Sequence, residues 1–111
     1  MDKFFEKSIL FDLYGGLLSD KEKIAFEYKI IDDLSFQEIG EELSMSRQGA
    51  YDLYKHADKK LHEIDKKLDL MKIFLEIEKD TKDIKKLAIN NKKIINLSDK
   101  ILKNLKKGGN D

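Results

Sequence analysis

Apolar residues recur every three or four positions along most of this chain, a spacing that predicts α-helices. Ser19 and Ser35 are each followed three residues later by a glutamate, which is the capping-box spacing that starts a helix. The expected elements are a helix from Phe4 to about Leu17, loosened or ended by Gly15-Gly16, a second from Ser19 to about Asp32, and a third from Ser35 to Leu43. Their expected apolar faces are Phe5, Ile9, Leu10, Leu13 and Leu17, then Ile24, Tyr28 and Ile31, then Phe36, Ile39 and Leu43.

The second half of the chain predicts longer helices. Ser46 can cap a helix that begins at Arg47, and a break is expected near Asp69, where one apolar stripe gives way to another. Asn90-Asn91 is expected to close the helix that follows the break. The stripes are Ala50, Tyr54, Ala57, Leu61, Ile64, Leu68 and Met71 before the break, Leu70, Phe74, Ile77, Ile84 and Ala88 after it, and Ile94, Ile101 and Leu105 in a last amphipathic helix.

These elements predict an all-α protein. A charged fraction of 40% and the absence of proline suit long helices with exposed charged faces. With 111 residues the chain can build one modest core. We expect a helix-turn-helix domain over residues 1–68, packing or dimerisation helices over 69–107 within the same compact unit, and a frayed tail over 108–111.

Residues Ser35 to Lys60 form a helix, a four-residue turn and a second helix, the arrangement of a helix-turn-helix. Phe36, Ile39 and Leu43 are expected to pack on Ala50, Leu53 and Tyr54. Gly40 allows another helix to approach closely. An αα-hairpin without any ligand accounts for the apolar residues equally well. The small residue, the capped turn and the outward polar set together favour the helix-turn-helix.

The segment from Asp33 to Asp52 resembles the YlxM family of bacteria, whose helix-turn-helix is similar to region four of sigma factors. The strings Leu10-Phe11-Asp12-Leu13-Tyr14 and Leu17-Leu18-Ser19-Asp20-Lys21 resemble it too, so the likeness covers roughly residues 8–70. It implies a wingless, sigma region-four-like bundle with additional C-terminal helices. It also implies a dimeric regulatory protein of the signal recognition particle pathway. Gly49-Ala50 departs from the family pattern and lowers helix propensity and packing volume there.

The candidate nucleic-acid-binding residues line the start and outer side of the fourth helix. Arginine and glutamine are suited to reading base edges, and lysines contact phosphates. They are Ser46, Arg47, Gln48, Tyr51, Lys55 and Lys59. Against DNA binding, Arg47 is the only arginine, and residues 1–45 hold 5 lysines against 11 acidic residues. The row Lys55, His56, Lys59 and Lys60 suits phosphate contact or an ordinary solvated helix face. DNA, the GTPase of the signal recognition particle and its RNA therefore all stay open as partners.

Other chemistry has little support in the sequence. The chain has no cysteine, His56 and His62 stand six positions apart, and Gly15-Gly16 lacks the lysine of a phosphate-binding loop. We therefore expect no enzyme, no metal and no cofactor. We also expect a cytoplasmic protein with no membrane insertion, since no apolar run approaches about 18 residues and the N-terminus does not resemble a signal peptide. The apolar surplus of residues 69–107 favours a homodimer over folding back within a monomer.

Overall fold

The structure is a computed structural model, and it describes residues 2–107. Six α-helices and one short 3-10 turn follow one another, and residues 2–107 contain no strand. The helices are α1 (Lys3–Tyr14), α2 (Asp20–Ile30), α3 (Phe36–Leu43), α4 (Arg47–Leu68), α5 (Leu70–Leu87) and α6 (Lys92–Lys107), with the 3-10 turn at Gly15–Leu17. The predicted all-α class is confirmed. The expected frayed tail, residues 108–111, lies outside the described residues.

The predicted helix starts are confirmed by their hydrogen bonds. The Ser19 and Ser35 amides donate to the carboxylates of Glu22 (2.8 Å) and Glu38 (2.9 Å), and each serine hydroxyl accepts in return from the glutamate amide. These two capping boxes satisfy donors that a helix start leaves without partners. Asn91 also starts a helix, because its side chain accepts from the Ile94 amide at 3.2 Å. We expected Asn90-Asn91 to close α5. That expectation is wrong, since α5 already ends at Leu87 and Asn91 caps the next helix instead.

The main core lies between α1, α2 and α4. Phe26 is fully buried and stacks on Phe11 and Tyr54, with ring centroids 5.3 Å and 5.5 Å away. The expected apolar face of α2 is wrong, because Ile24 and Ile31 are exposed. The face turns toward Phe26 since a phenylalanine between two aromatic rings buries more apolar surface than either isoleucine.

The first helix also departs from its expected face. Its buried residues are Ile9, Leu10, Phe11 and Tyr14. Phe5 and Leu17, which were expected to be buried, are both exposed. Leu17 is exposed because α1 ends at Tyr14, and the tighter 3-10 turn rotates the following side chains off the α-helical stripe.

A single residue joins α4 to α5. Asp69 adopts the left-handed conformation (φ 55°), which ends α4 and turns the chain sharply. Its own side chain does not cap α5. Instead the Leu70 amide donates to the buried Tyr14 hydroxyl at 3.1 Å, and the Met71 amide donates to the Asp65 carboxylate at 3.1 Å. The Tyr14 hydroxyl in turn donates to Asp65 at 2.6 Å, so a residue of α1 fixes the start of α5.

Helices α5 and α6 form an antiparallel hairpin that meets the rest of the protein near the start of α5. An apolar groove of about 220 Å³ lies there between Leu13 of α1, Phe74 of α5 and Leu105 of α6. Farther along the hairpin, apolar side chains stay exposed. The division into residues 1–68 and 69–107 stays a prediction. None of the described helices has the length and apolar character needed to cross a bilayer.

Candidate nucleic-acid interface

The turn between α3 and α4 depends on Gly40. Ser44 ends α3 in the left-handed conformation (φ 56°), and the Met45 amide donates to the Gly40 carbonyl at 2.8 Å. A Cβ atom on Gly40 would lie only 2.7 Å from the Met45 carbonyl oxygen and 3.1 Å from backbone atoms of Ser46. The glycine was expected to admit a neighbouring helix. The close neighbour is the turn itself, which folds back over α3.

The two helices of the unit are held together by a small second core. Ile39 and Ala50 are fully buried against Ala25 of α2. Phe36 contacts α4 through two rings, with centroids 5.1 Å from Tyr51 and 5.6 Å from Tyr54. This packing fixes the direction in which α4 leaves the turn, as a braced recognition helix requires.

The first four predicted site residues lie together at the start of α4. The Ser46 hydroxyl accepts from the Gly49 amide at 2.9 Å, so Ser46 is confirmed as the cap. Arg47 and Gln48 are exposed, and Tyr51 is 40% exposed. Together with Phe36 these three line an open groove of about 430 Å³. A polar and aromatic surface therefore faces solvent at the N-terminal end of a braced helix.

The two predicted lysines continue the same side of α4. Lys55 lies one turn beyond Tyr51, with its Nζ 6.0 Å from the tyrosine ring centroid, and Lys59 lies one turn farther. Lys59 Nζ is 3.9 Å from the Glu63 carboxylate, and both side chains are exposed. An exposed pair of this kind is weak, so Lys59 can still contact an anionic ligand.

The other half of the basic row faces a different partner. Lys60 and His56 lie 3.5 Å and 3.8 Å from the buried carboxylate of Glu22. Burial would raise the pKa of Glu22, but the hydrogen bonds from Ser19 and the charge of Lys60 outweigh it and hold that pKa below its ordinary value. Glu22 is therefore a charged contact between α2 and α4. Lys60 consequently belongs more to the packing of the fold than to a phosphate-binding row, whereas the His56 side chain stays 75% exposed.

Exposed carboxylates lie on both helices of the unit. Asp52 accepts a hydrogen bond from the Gln48 side chain at 2.9 Å. Glu38, Glu41 and Glu42 of α3 are all exposed. The surface is thus mixed in charge and lacks the dense positive field of many DNA-binding domains.

Two members of this surface were not singled out from the sequence. Phe36 was assigned to the core, yet it also lines the groove beside Tyr51. Asp52 was given no role in the candidate surface, whereas it accepts a hydrogen bond from the Gln48 side chain and orients it. The four-residue spacing of Gln48 and Asp52 was the available signal, since residues four apart are neighbours on a helix. Among the described residues, no three histidine or acidic side chains converge in a way that could hold a metal ion.

Comparison with known proteins places this unit in a family. The family described as "Putative helix-turn-helix protein, YlxM / p13 like" (UPF0122) matches residues 1–101. The chain belongs to the UPF0122 family. Its similarity to the UPF0122 protein of Thermoanaerobacter sp. (strain X514) is 42% identity over 77% of this chain and 73% of the relative. The UPF0122 protein YlxM of Bacillus subtilis (strain 168) is 36% identical over 83% of this chain and 84% of the relative.

The match confirms the resemblance expected from the segment Asp33 to Asp52. It also extends that resemblance, since residues 1–101 include α5 and most of α6. The C-terminal hairpin is therefore part of the UPF0122 pattern, although the expected resemblance reached only to about residue 70.

Proposed function

We propose that this UPF0122 protein is a cytoplasmic, non-catalytic regulator that places the start of α4 in the major groove of duplex DNA. The observation that carries the proposal is the exposed line of Arg47, Gln48 and Tyr51 at the beginning of a braced, capped helix. Side chains at the N-terminal end of a recognition helix are the ones that reach base edges. No described element other than α4 combines such a start with a preceding short bracing helix.

The residues of this surface would have different roles in a complex with DNA. Arg47 can bind guanine with two hydrogen bonds, and Gln48, oriented by Asp52, can read adenine. Tyr51, one turn farther along α4, can also contact a base, and Lys55 and Lys59 contact the phosphate backbone. The α3 carboxylates repel the DNA phosphates. We therefore expect a modest affinity for DNA that depends strongly on salt.

Replacing Arg47 with alanine is expected to weaken binding to a preferred duplex about tenfold to hundredfold, because a two-hydrogen-bond contact to guanine contributes about 1 to 3 kcal/mol. Band-shift titrations at low and moderate salt, starting from a pool of random duplexes, measure this effect. Lys67→Ala is the control, since it removes one positive charge from the exposed far end of α4. Absence of duplex binding by the unaltered protein at low salt would contradict the proposal.

The second part of the proposal is a homodimer formed through α5 and α6. Large apolar side chains on these helices are exposed and follow one another at helical spacing. A monomer rarely exposes an apolar patch of this size. They are Leu70, Ile73, Ile77, Ile84, Leu97 and Ile101. A second copy covering this stripe presents two α4 helices, as recognition of two half-sites about 34 Å apart requires.

The double substitution Ile73→Glu/Ile77→Glu is expected to convert the dimer to a monomer, because it places two charges in an apolar interface. Light scattering coupled to size exclusion measures the mass. The control is Leu17→Glu, which adds a charge at an exposed apolar residue outside the hairpin. A monomeric mass for the unaltered protein at high micromolar concentration would exclude the dimer.

An adaptor that contacts protein is the second candidate function, and the mixed charge of the surface favours it. An aromatic groove on a unit whose two helices carry exposed carboxylates suits a protein partner better than a phosphate backbone. The resemblance to the YlxM family suggests the GTPase of the signal recognition particle, or its RNA, as the partner.

Pull-down with that GTPase in each nucleotide state tests the adaptor. We expect Tyr51→Ala to reduce capture at least tenfold, since an exposed tyrosine at the centre of a contact contributes about 2 kcal/mol or more. Phe4→Ala, which alters an exposed aromatic residue of α1 that does not line the groove, is the control. No capture in any nucleotide state counts against the adaptor, and capture of the RNA alone assigns the surface to RNA.

A further inference from the structure

The positive charge of this chain is concentrated in the C-terminal hairpin and not on the recognition helix. Residues 85–107 carry 8 lysines and a single acidic residue, Asp99. Lys85 lies 2.7 Å from Asp99. Lys86, Lys92 and Lys93, which flank the turn between α5 and α6, have no acidic partner among the described residues. This end of the molecule therefore presents unneutralised charge to an anionic partner.

The same turn exposes the two most accessible large apolar side chains of the described chain. Leu87, the last residue of α5, is 88% exposed, and Ile89, within the turn, is 71% exposed. Both are far more exposed than the interface stripe on α5, whose members Ile73 and Ile77 are 47% and 40% exposed. The turn thus combines an apolar tip, formed by Leu87 and Ile89, with three flanking lysines.

The tip projects away from the body of the protein. The opposite end of the hairpin is anchored at α1, where Leu13, Phe74 and Leu105 line one groove. Helix α5 has 18 residues, a length of about 27 Å. Phe74 of that groove lies 13 residues before Leu87, so the turn stands about 20 Å beyond the contact with α1.

We propose that the turn between α5 and α6 attaches this protein reversibly to the surface of anionic phospholipid bilayers. Leu87 and Ile89 enter the boundary between headgroups and acyl chains, while Lys86, Lys92 and Lys93 contact the lipid phosphates. Basic residues around apolar side chains are the pattern of interfacial attachment, which needs no spanning helix. The attachment is independent of duplex binding and of the GTPase contact proposed above.

The chemistry of the hairpin distinguishes a bilayer from nucleic acid, the other large polyanion. Residues 85–107 contain no arginine and no aromatic residue. Base stacking uses aromatic rings or arginine planes, and bidentate phosphate binding uses arginine. Exposed leucine and isoleucine have no partner on a phosphate backbone, whereas the apolar boundary of a bilayer accommodates both. The tip therefore fits lipid.

Sedimentation with vesicles of phosphatidylcholine, with and without phosphatidylglycerol, tests the proposal on the full chain. We expect binding only to the anionic vesicles, and loss of binding as salt increases. Lys86→Gln/Lys92→Gln/Lys93→Gln is expected to weaken it about a hundredfold, since each lysine near an anionic surface contributes about fivefold. The matched control is Lys66→Gln/Lys67→Gln/Lys72→Gln, which removes the same charge near the α4–α5 junction.

A fluorescence measurement reports whether the tip enters the lipid. The chain has no tryptophan, so Leu87→Trp introduces a single reporter. We expect its emission to shift to shorter wavelength on anionic vesicles. The control Leu68→Trp, at an exposed residue that ends α4, is expected to show no shift.

Three results would overturn the proposal. One is failure to sediment with anionic vesicles at low salt, and another is equal loss of binding in the two triple-lysine variants. The third is an unshifted Leu87→Trp emission while the protein sediments, because surface charge alone would then hold it. If the Lys86, Lys92 and Lys93 variant loses duplex or RNA binding and vesicles do not bind, the hairpin is a nucleic-acid surface instead.

Discussion

Replacing Tyr14 with phenylalanine is expected to lower the free energy of unfolding by about 2 to 3 kcal/mol, because it removes one buried hydroxyl that forms two hydrogen bonds, one of them to a carboxylate. The hydroxyl donates to Asp65 at 2.6 Å and accepts from the Leu70 amide at 3.1 Å. Phenylalanine leaves that amide without a partner and deprives Asp65 of a charge-assisted donor. Urea unfolding followed by circular dichroism measures the difference.

The control for this substitution is Tyr28→Phe. Tyr28 is half-buried, and its hydroxyl has no hydrogen-bond partner among the described residues. We expect its removal to change stability by less than about 0.5 kcal/mol. If Tyr14→Phe and Tyr28→Phe unfold at the same urea concentration, the start of α5 does not depend on the Tyr14 hydroxyl.

The same residue implies an alkaline limit to stability. Burial first, and then the hydrogen bond to Asp65, raises the pKa of Tyr14 to about 12. An unfolded tyrosine titrates near pH 10, so the fold favours the neutral phenol. That contribution is complete below about pH 10 and is lost as the pH rises toward about 12. The alkaline loss of stability is therefore expected to be smaller in Tyr14→Phe than in the unaltered protein.

The helix starts were predictable because their signals are local. Ser19, Ser35 and Ser46 each cap a helix through an amide three residues away, a contact that sequence spacing alone specifies. The break at Asp69 was also indicated by the change of apolar stripe. The geometry of the break was not indicated, because the hydroxyl that caps α5 belongs to Tyr14, 56 residues before Leu70.

The face of α2 could not be predicted, for a related reason. Ile24, Tyr28 and Ile31 form a regular stripe, yet Phe26 occupies the core because Phe11 and Tyr54 lie on either side of it. Glu22 is also buried on this face of α2, and a pattern of apolar residues does not predict a buried carboxylate. Its burial is tolerable only since Ser19 and Lys60 satisfy it. Such partners become evident only when α2 and α4 are brought together.

Some residues of the candidate site could likewise be predicted from the sequence, and others could not. Arg47, Gln48 and Tyr51 were recognisable as outward residues from their positions after the Ser46 cap. The contact of Lys60 with Glu22 was not recognisable, because it depends on the packing of α2 against α4. The location of unneutralised charge on the C-terminal hairpin required both the composition of residues 85–107 and the exposure of Leu87 and Ile89.

The substitution Gly40→Val is expected to destabilise the protein by about 2 to 3 kcal/mol and to reduce binding through α4 in parallel. The nearest obstacle to a side chain is the Met45 carbonyl oxygen, only 2.7 Å from the Cβ position, and Ser46 backbone atoms follow at 3.1 Å. Backbone cannot rotate away as a flexible side chain can, so the turn itself must move. Valine has slightly better helix propensity than glycine, which offsets only a few tenths of a kcal/mol.

Glu42→Val separates this steric effect from a general cost of valine in α3. Glu42 is an exposed position of the same helix, where a branched side chain meets only solvent. We expect that control to unfold within about 0.5 kcal/mol of the unaltered protein. Because Met45 and Ser46 lead directly into Arg47, displacing the turn reorients the groove formed by Phe36 and Tyr51. Equal stability and equal binding of Gly40→Val and Glu42→Val would show that the turn does not need the close approach at Gly40.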